Sequence, residues 1–180
     1  GHGGHGGHAT AVLEEVKIDL AALPADLGEA DIEALEAALP APAKKKKPEA
    51  TDYVELVEAN LAELAEIVEE EGYTTAEPLR RRRDYVWTIA SERLKRHVPV
   101  HYTGLLEVTP DGHAFLRASH YSYLASEEDV FVPPSMVTRL GLRTGMTVTG
   151  ALRVPREGEK YFALKKIESV DGGDPELVIS

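Results

Sequence analysis

The sequence predicts an α+β protein in which a small N-terminal helical bundle precedes a five-stranded β-barrel. Apolar residues recur at three- and four-residue steps between residues 51 and 97, the period of helices with one buried face. From residue 102 onward, short alternating segments are separated by turn signals such as Pro110-Asp111-Gly112. One brief helical pattern, which starts at Pro133-Pro134-Ser135 and runs through Leu140, interrupts these strands.

The composition is that of a globular protein. Of its 180 residues, 43% are hydrophobic and 28% are charged, and this length allows one domain or two small ones. No apolar run approaches the roughly 18 residues that a membrane span needs. The chain has no cysteine, which excludes disulfide scaffolds and Cys-ligated zinc. Because no basic segment followed by an apolar one marks its start, we expect a cytoplasmic protein.

The net charge of −11 at first argues against nucleic acid as a partner. The charge is unevenly distributed, however: residues 51–79 hold nine acids and no base, whereas 80–100 hold seven bases and two acids. Residues 101–180 are nearly balanced, with eleven acids and eight bases. The predicted barrel is therefore close to neutral, which favours contact with bases over contact with phosphates.

The composition of residues 1–50 indicates a Gly/His-rich tail and a Pro/Lys linker with little fixed structure. His2, His5 and His8 stand in a glycine background, which offers imidazoles but no preorganised metal geometry. We interpret this tail as disordered or as an expression remnant, with weak metal binding as the alternative. A helical turn or two is possible around Leu35, before the solvated run Lys44–Lys47.

The helical subdomain is predicted over residues 51–100. Thr51 or Asp52 can cap the first helix and Gly72 can end it, and a second helix follows Pro78. Four basic residues begin this second helix: Arg80, Arg81, Arg82 and Arg83. They oppose the helix dipole at this position, so something else must favour them. The pattern leaves two interpretations open, a solvated helix start and a patch that faces phosphates.

The barrel is predicted over residues 101–176, and 177–180 would begin a connector. Its strands are expected at 104–108, 113–117, 130–132, 146–154 and 161–170. Five short strands with a helix after the third are typical of OB-fold and cold-shock-like barrels. If Leu116 and Val130 point into the core, alternation places neighbouring side chains on the opposite, outer face. Those side chains are His113, Phe115, Arg117, Asp129 and Phe131.

This outer face has the chemistry of a platform for an unstacked base. Aromatic rings stack on any base, arginine donates to a phosphate or a base edge, and a carboxylate accepts from an exocyclic amine. The predicted site consists of His113, Phe115, Arg117, Asp129, Phe131, Glu159, Lys160 and Tyr161. Alternatively, these are scattered surface aromatics, or aromatics covered by the helical unit, since OB folds host many functions.

Several runs keep the order and spacing of a known family. They are Gly104–Val108, Asp111–Arg117, Asp129–Ser135, Leu142–Gly145 and Pro155–Leu164. Together they closely resemble the RNA-binding domain of bacterial transcription termination factor Rho. The stretch 59–97 is similar to the small helical bundle of that family, and residues 1–50 match none of its patterns.

The resemblance implies a primary RNA-binding site that captures single-stranded, pyrimidine-rich and preferably C-rich transcript. It implies that Phe115 stacks on a base beside Arg117, that Asp129 reads a base edge, and that Glu159 and Tyr161 complete the pocket. Two residues depart from the family pattern. His113 replaces a stacking aromatic, which would make its contribution pH-dependent, and Phe131 replaces a tyrosine, which would relax base discrimination.

The resemblance also implies a ring-shaped motor driven by ATP. Such a motor needs a phosphate loop of the form G-x-x-x-x-G-K-[ST], and the sequence contains no such run. We therefore interpret the chain as the RNA-binding portion, not an enzyme, with ATP and Mg²⁺ expected only in a motor domain elsewhere. The parent would be a homohexamer and this segment a monomer. The alternative is a stand-alone interaction protein without a motor, which masks RNA or regulates Rho rings.

Overall fold

The computed structural model describes residues 19–42 and 48–175. Short 3₁₀ turns lie at Leu20–Ala22 and Ser119–Tyr121. The helices are α1 (Glu29–Ala37), α2 (Tyr53–Glu58), α3 (Leu61–Glu71), α4 (Arg82–Lys95) and α5 (Pro134–Leu140). The strands are β1 (Thr51–Asp52), β2 (Val100–Val108), β3 (Ala114–Arg117), β4 (Val130–Val132), β5 (Thr147–Leu152) and β6 (Leu164–Val170). Within the described ranges, no helix has both the length and the apolarity needed to cross a membrane.

The main strands form one curled sheet in the order β4-β3-β2-β5-β6. All neighbours in this order are antiparallel, and the two-residue β1 adds to β2 in parallel. A parallel bridge between Phe131 and Ala163 joins β4 to the segment before β6. The amide of Phe131 donates to the carbonyl of Phe162 at 2.8 Å. These contacts confirm the predicted α+β class and the small barrel.

The first predicted helix is in fact two helices, α2 and α3. The chain leaves helical geometry at Ala59, and Asn60 then caps α3 by accepting from the amide of Glu63 at 2.8 Å. The Glu63 side chain accepts from the Asn60 amide in return, which completes a capping box. The predicted termini are confirmed: Asp52 caps α2 and Gly72, at φ 73°, ends α3.

The helices and the barrel share one apolar core. Trp87 of α4 stacks on Phe162 with ring centroids 4.2 Å apart, and Tyr53 of α2 meets Phe162 edge-on at 5.7 Å. Tyr53 also meets Tyr102 of β2 at 5.2 Å. Because these rings come from α2, α4, β2 and the segment before β6, the helical unit is fixed to the barrel by aromatic packing.

The N-terminal extension has more fixed structure than the sequence predicted. In α1, Ile32 is buried and Leu35 packs against the main core. Glu36 pairs with Lys165 of β6 at 3.2 Å. The prediction of a largely unstructured 1–50 is therefore wrong for this part, because a short apolar face finds its partner on the distant barrel. The histidines of the tail and the run Lys44–Lys47 lie outside the described residues.

Candidate nucleic-acid interface

A second apolar cluster lies apart from the main core and contains Phe115, Phe131, Tyr161 and Ala163. We refer to these four residues as the aromatic cluster. Phe115 of β3 and Phe131 of β4 are direct cross-strand partners, with ring centroids 5.6 Å apart. Tyr161 meets Phe115 at 5.3 Å. The alternate residues Leu116 and Val130 lie in the main core, so the predicted division of the two faces is confirmed.

The predicted exposure of this face is wrong. Phe115 is 1% exposed, Phe131 3%, Arg117 6% and Asp129 3%. The cover comes from the N-terminal extension, because Leu23 packs against the aromatic cluster. Within the described residues, the helical unit, which was the alternative cover considered from sequence, contributes no hydrophobic side chain to this cluster.

The covering segment, residues 19–28, is here called the strap. Its Ala25 amide donates to Glu159 Oε2 at 2.9 Å, and its Ala22 carbonyl accepts from the Lys160 amide at 3.0 Å. Asp26 accepts from the amide and the hydroxyl of Ser135 at 2.8 and 2.6 Å. The strap is therefore held by polar contacts on both sides of Leu23.

Arg117 and Asp129 form a buried ion pair beside the aromatic cluster. Arg117 Nη1 donates to Asp129 Oδ2 at 2.5 Å, and the Ser126 amide donates to the same oxygen at 3.0 Å. The Arg117 guanidinium also lies 5.5 Å from the centre of the Phe115 ring. Asp129 Oδ1 is buried and accepts no hydrogen bond from the described residues, which leaves one acceptor of this carboxylate unused.

Burial raises the pKa of Asp129 to about 7, although Arg117 and the Ser126 amide oppose this shift. The unfolded chain loses the same proton near pH 4. Below pH 4 both states hold the proton, so stability from this group is fully present there and is lost as pH rises toward 7.

We therefore expect the free energy of unfolding of the wild type, relative to Asp129→Asn, to fall between pH 4 and pH 7. One proton limits the slope to about 1.4 kcal/mol per pH unit. Urea titrations of both proteins across this range measure the difference. The asparagine variant serves as the reference because other titrating carboxyls contribute equally to both curves. Parallel stability curves would contradict the raised pKa.

Arg153 is a site residue that the sequence interpretation missed. It reaches from the end of β5 and donates to both carboxylate oxygens of Glu159 at 2.9 Å. Burial acts to raise the pKa of Glu159, but Arg153 and the amides of Arg156 and Ala25 hold it below its usual range. The sequence did offer a signal for this pair, because Arg153 lies near the end of a predicted strand. A buried charge at such a position needs an acidic partner.

A groove of about 570 Å³ opens beside the aromatic cluster and the ion pair. Phe115, Arg117, Asp129 and Tyr161 contribute to its lining, together with exposed Tyr123. This volume lies within the range of small-molecule sites, and the lining is mostly apolar with a few polar groups. The groove therefore has the size and lining of a ligand site, and the rings beside it are covered by Leu23.

Two predicted site residues lie away from the ion pair. His113 is half-buried at the end of the β2–β3 hairpin, with Nδ1 3.4 Å from Asp111 Oδ2. Lys160 directs an exposed ammonium toward Asp19 of the strap at 3.6 Å. The structure thus brings together Phe115, Arg117, Asp129, Phe131 and Tyr161, and leaves the roles of His113 and Lys160 as predictions.

Arg82 and Arg83, in the first turn of α4, have partners within the chain. Arg82 donates to the carbonyls of Leu56, Val57 and Ala59 at the end of α2, where the helix dipole favours a cation. Arg83 lies 4.9 Å from the centre of the Trp87 ring and also donates to the Lys160 carbonyl. These contacts explain why basic residues stand at an unfavourable helix start. Contact of Arg80, Arg81, Arg82 and Arg83 with phosphate stays a prediction.

Metal binding has no counterpart among the side chains that the structure describes. Across residues 19–42 and 48–175, no group of three or more His, Asp or Glu side chains comes close enough to share an ion. The three histidines of the tail precede the first described residue. The weak metal site considered from sequence therefore stays a prediction.

The fold and the groove define a small OB-like barrel with an aromatic pocket flanked by an arginine–aspartate pair. Residues 102–176 match the family model described as Rho termination factor, RNA-binding domain, and they belong to that family. The resemblance of the sequence is thereby confirmed.

Relatives of known name extend this match beyond the barrel. The chain is 38% identical over 123 residues to transcription termination factor Rho of Neisseria gonorrhoeae, which covers 68% of the chain and 29% of that protein. It is 41% identical over 126 residues to Rho of Aquifex aeolicus, covering 69% of the chain and 29% of that protein. A third relative, Rho of Rhodopirellula baltica, is 37% identical over 135 residues, or 26% of its length. The chain thus spans less than a third of these relatives.

Proposed function

We propose that the chain captures single-stranded, pyrimidine-rich RNA in the groove beside the aromatic cluster. The observation that carries this proposal is the meeting of three aromatic rings with a buried arginine–aspartate pair. These groups all lie within the residues that match the RNA-binding domain family. Aromatic rings stack on a base of any identity, whereas the ion pair offers a donor and an acceptor in fixed positions.

The polar groups favour cytosine over other bases. The N4 amine of cytosine is a donor that pairs with a carboxylate, and its ring nitrogen and carbonyl accept from a guanidinium. The absence of a described partner for Asp129 Oδ1 supports a role for this oxygen as the acceptor of the amine. Glu159 is a second carboxylate close to Tyr161 in the sequence, and with the strap in place it accepts from Arg153 and from the Ala25 amide.

Binding of oligo(C) and oligo(A) of equal length, measured by fluorescence anisotropy at one stated salt concentration, tests the proposal. We expect oligo(C) to bind about tenfold or more tightly, because a matched polar pair contributes about 1–3 kcal/mol of discrimination. Asp129→Asn keeps the volume but replaces an acceptor oxygen with an amide group, so it should reduce this preference. Equal affinity for the two oligonucleotides would contradict cytosine recognition.

The names of the relatives support a wider role. They are named as transcription termination factors, and we propose that this chain supplies the RNA-capturing portion of such a factor. A homohexameric parent, a motor that uses ATP and Mg²⁺, and a monomeric isolated segment stay predictions, as does the alternative of a stand-alone protein that regulates Rho rings.

A further inference from the structure

The strap lies on the surface that the proposed function assigns to a base. Leu23 packs on the aromatic cluster, and the Phe115 and Phe131 rings are almost completely buried with the strap in place. A base stacked on these rings would need the space that Leu23 fills. The strap and a stacked base therefore exclude each other at this position.

The strap also uses the polar groups of the site. Its Ala25 amide donates to Glu159 Oε2 at 2.9 Å, as an exocyclic amine of a base would. Its Ala25 carbonyl accepts from Arg153 Nη2 at 3.1 Å. The strap thus presents an apolar side chain to the rings and an N–H group to a carboxylate, which are the two features that a cytosine presents.

The strap and α1 together carry the negative charge expected of a segment that competes with RNA, which is itself a polyanion. Residues 19–42 contain six acidic residues and no basic one: Asp19, Asp26, Glu29, Asp31, Glu33 and Glu36. Asp19 lies 3.6 Å from the ammonium of Lys160, and Glu36 lies 3.2 Å from that of Lys165. The Lys160 ammonium would otherwise be available to RNA phosphates, whereas the Glu36–Lys165 pair holds α1 against the barrel.

We propose that the strap is an intramolecular competitor of RNA, which closes the base site until RNA displaces it. This inference rests on the proposed function of the groove. The anchor of the strap is separate, since α1 is held by Ile32 and by the Glu36–Lys165 pair. A released strap therefore stays tethered beside the site at a high effective concentration. The apparent association constant for RNA is the constant of the open state multiplied by the fraction of molecules whose site is open. A mostly closed strap therefore weakens the apparent binding of RNA.

The first test is Leu23→Asp in the full chain, with oligo(C) binding followed by anisotropy. An aspartate on the aromatic cluster is unfavourable, so the strap opens and the affinity for oligo(C) rises about tenfold if the closed state is about tenfold favoured in the wild type. Leu61→Asp is the matched control. It makes the same substitution on α3, where Leu61 is 46% exposed and lies outside the groove lining.

A second variant and a second readout make the test independent of the added charge. Ala25→Pro removes the N–H that donates to Glu159 and should also raise the affinity. In the wild type, hydrogen exchange at the Ala25 amide should become faster when oligo(C) is added, because RNA displaces the strap from Glu159. Circular dichroism shows whether each variant keeps the fold.

The outcomes separate this inference from the function on which it rests. If the wild type binds oligo(C) but neither variant binds more tightly, the strap is not a competitor, and RNA binding stands. Slow exchange at Ala25 in the RNA-saturated protein would overturn the competitor role as well. If neither the wild type nor the folded variants bind oligo(C), the proposed function fails and the competitor role falls with it.

Discussion

Phe115→Leu is expected to weaken oligo(C) binding by about 1–3 kcal/mol, because leucine keeps apolar volume but offers no π face for a base. This corresponds to a loss of about fivefold to more than a hundredfold in affinity. Leucine is preferable to alanine here. Phe115 is 1% exposed and contacts two other rings, so its truncation to alanine would cost about 3–5 kcal/mol of stability and obscure the binding result.

Phe162→Leu is the matched control for this prediction. Phe162 is as deeply buried as Phe115, but it stacks on Trp87 in the main core rather than on the aromatic cluster. The control should lower the free energy of unfolding and leave the affinity for oligo(C) unchanged. Because Leu23 also contacts the aromatic cluster, both variants should be measured again with Leu23→Asp. Unchanged affinity of Phe115→Leu in both backgrounds would remove the aromatic cluster from the site.

The barrel was largely predictable because the alternation of side chains along a strand shows which residues face the core. Strand β4 has the predicted bounds, Val130–Val132, and alternation correctly separated Phe131 from the two valines. The exposure of the outer face was not predictable in this way. Leu23 covers Phe115 from about ninety residues earlier in the chain, and no local pattern records a contact over such a separation.

The helical unit shows a related limit. The apolar spacing continues from α2 into α3 and hides the break at Ala59, although Asn60 and Glu63 form a capping pattern that the sequence displays. The contacts of Arg82 with α2 depend on how the helices pack, which periodicity does not give. Periodicity therefore located the buried faces, whereas the partners of buried charges came from tertiary structure alone.

Arg153→Met is expected to cause the largest loss of stability, about 3–5 kcal/mol, because it leaves a buried carboxylate without its cation. The Arg153 side chain is 1% exposed and that of Glu159 is 8% exposed, so water can replace little of what is lost. Arg153 also donates to the carbonyls of Val154 and Ala25, and those groups would lose a partner too. Urea unfolding at pH 7 measures the effect.

The control variants separate the buried charge from the loss of packing. Arg156 is exposed, and it contacts Glu159 through its backbone amide, which the substitution Arg156→Met keeps. The free energy of unfolding should therefore change by no more than about 0.5 kcal/mol. The double variant Arg153→Met/Glu159→Gln should be more stable than Arg153→Met, since no buried charge remains without a cation.

The dependence on pH gives a further check on the same pair. The lowered pKa of Glu159 contributes stability above the pKa of the unfolded carboxyl, and this contribution is lost as pH falls through the folded value. The advantage of the wild type over Arg153→Met should therefore shrink as pH falls below about 4.5, because a protonated Glu159 no longer needs the guanidinium. A difference that stays constant over this range would show that Arg153 acts through packing and its carbonyl contacts rather than through the charge of Glu159.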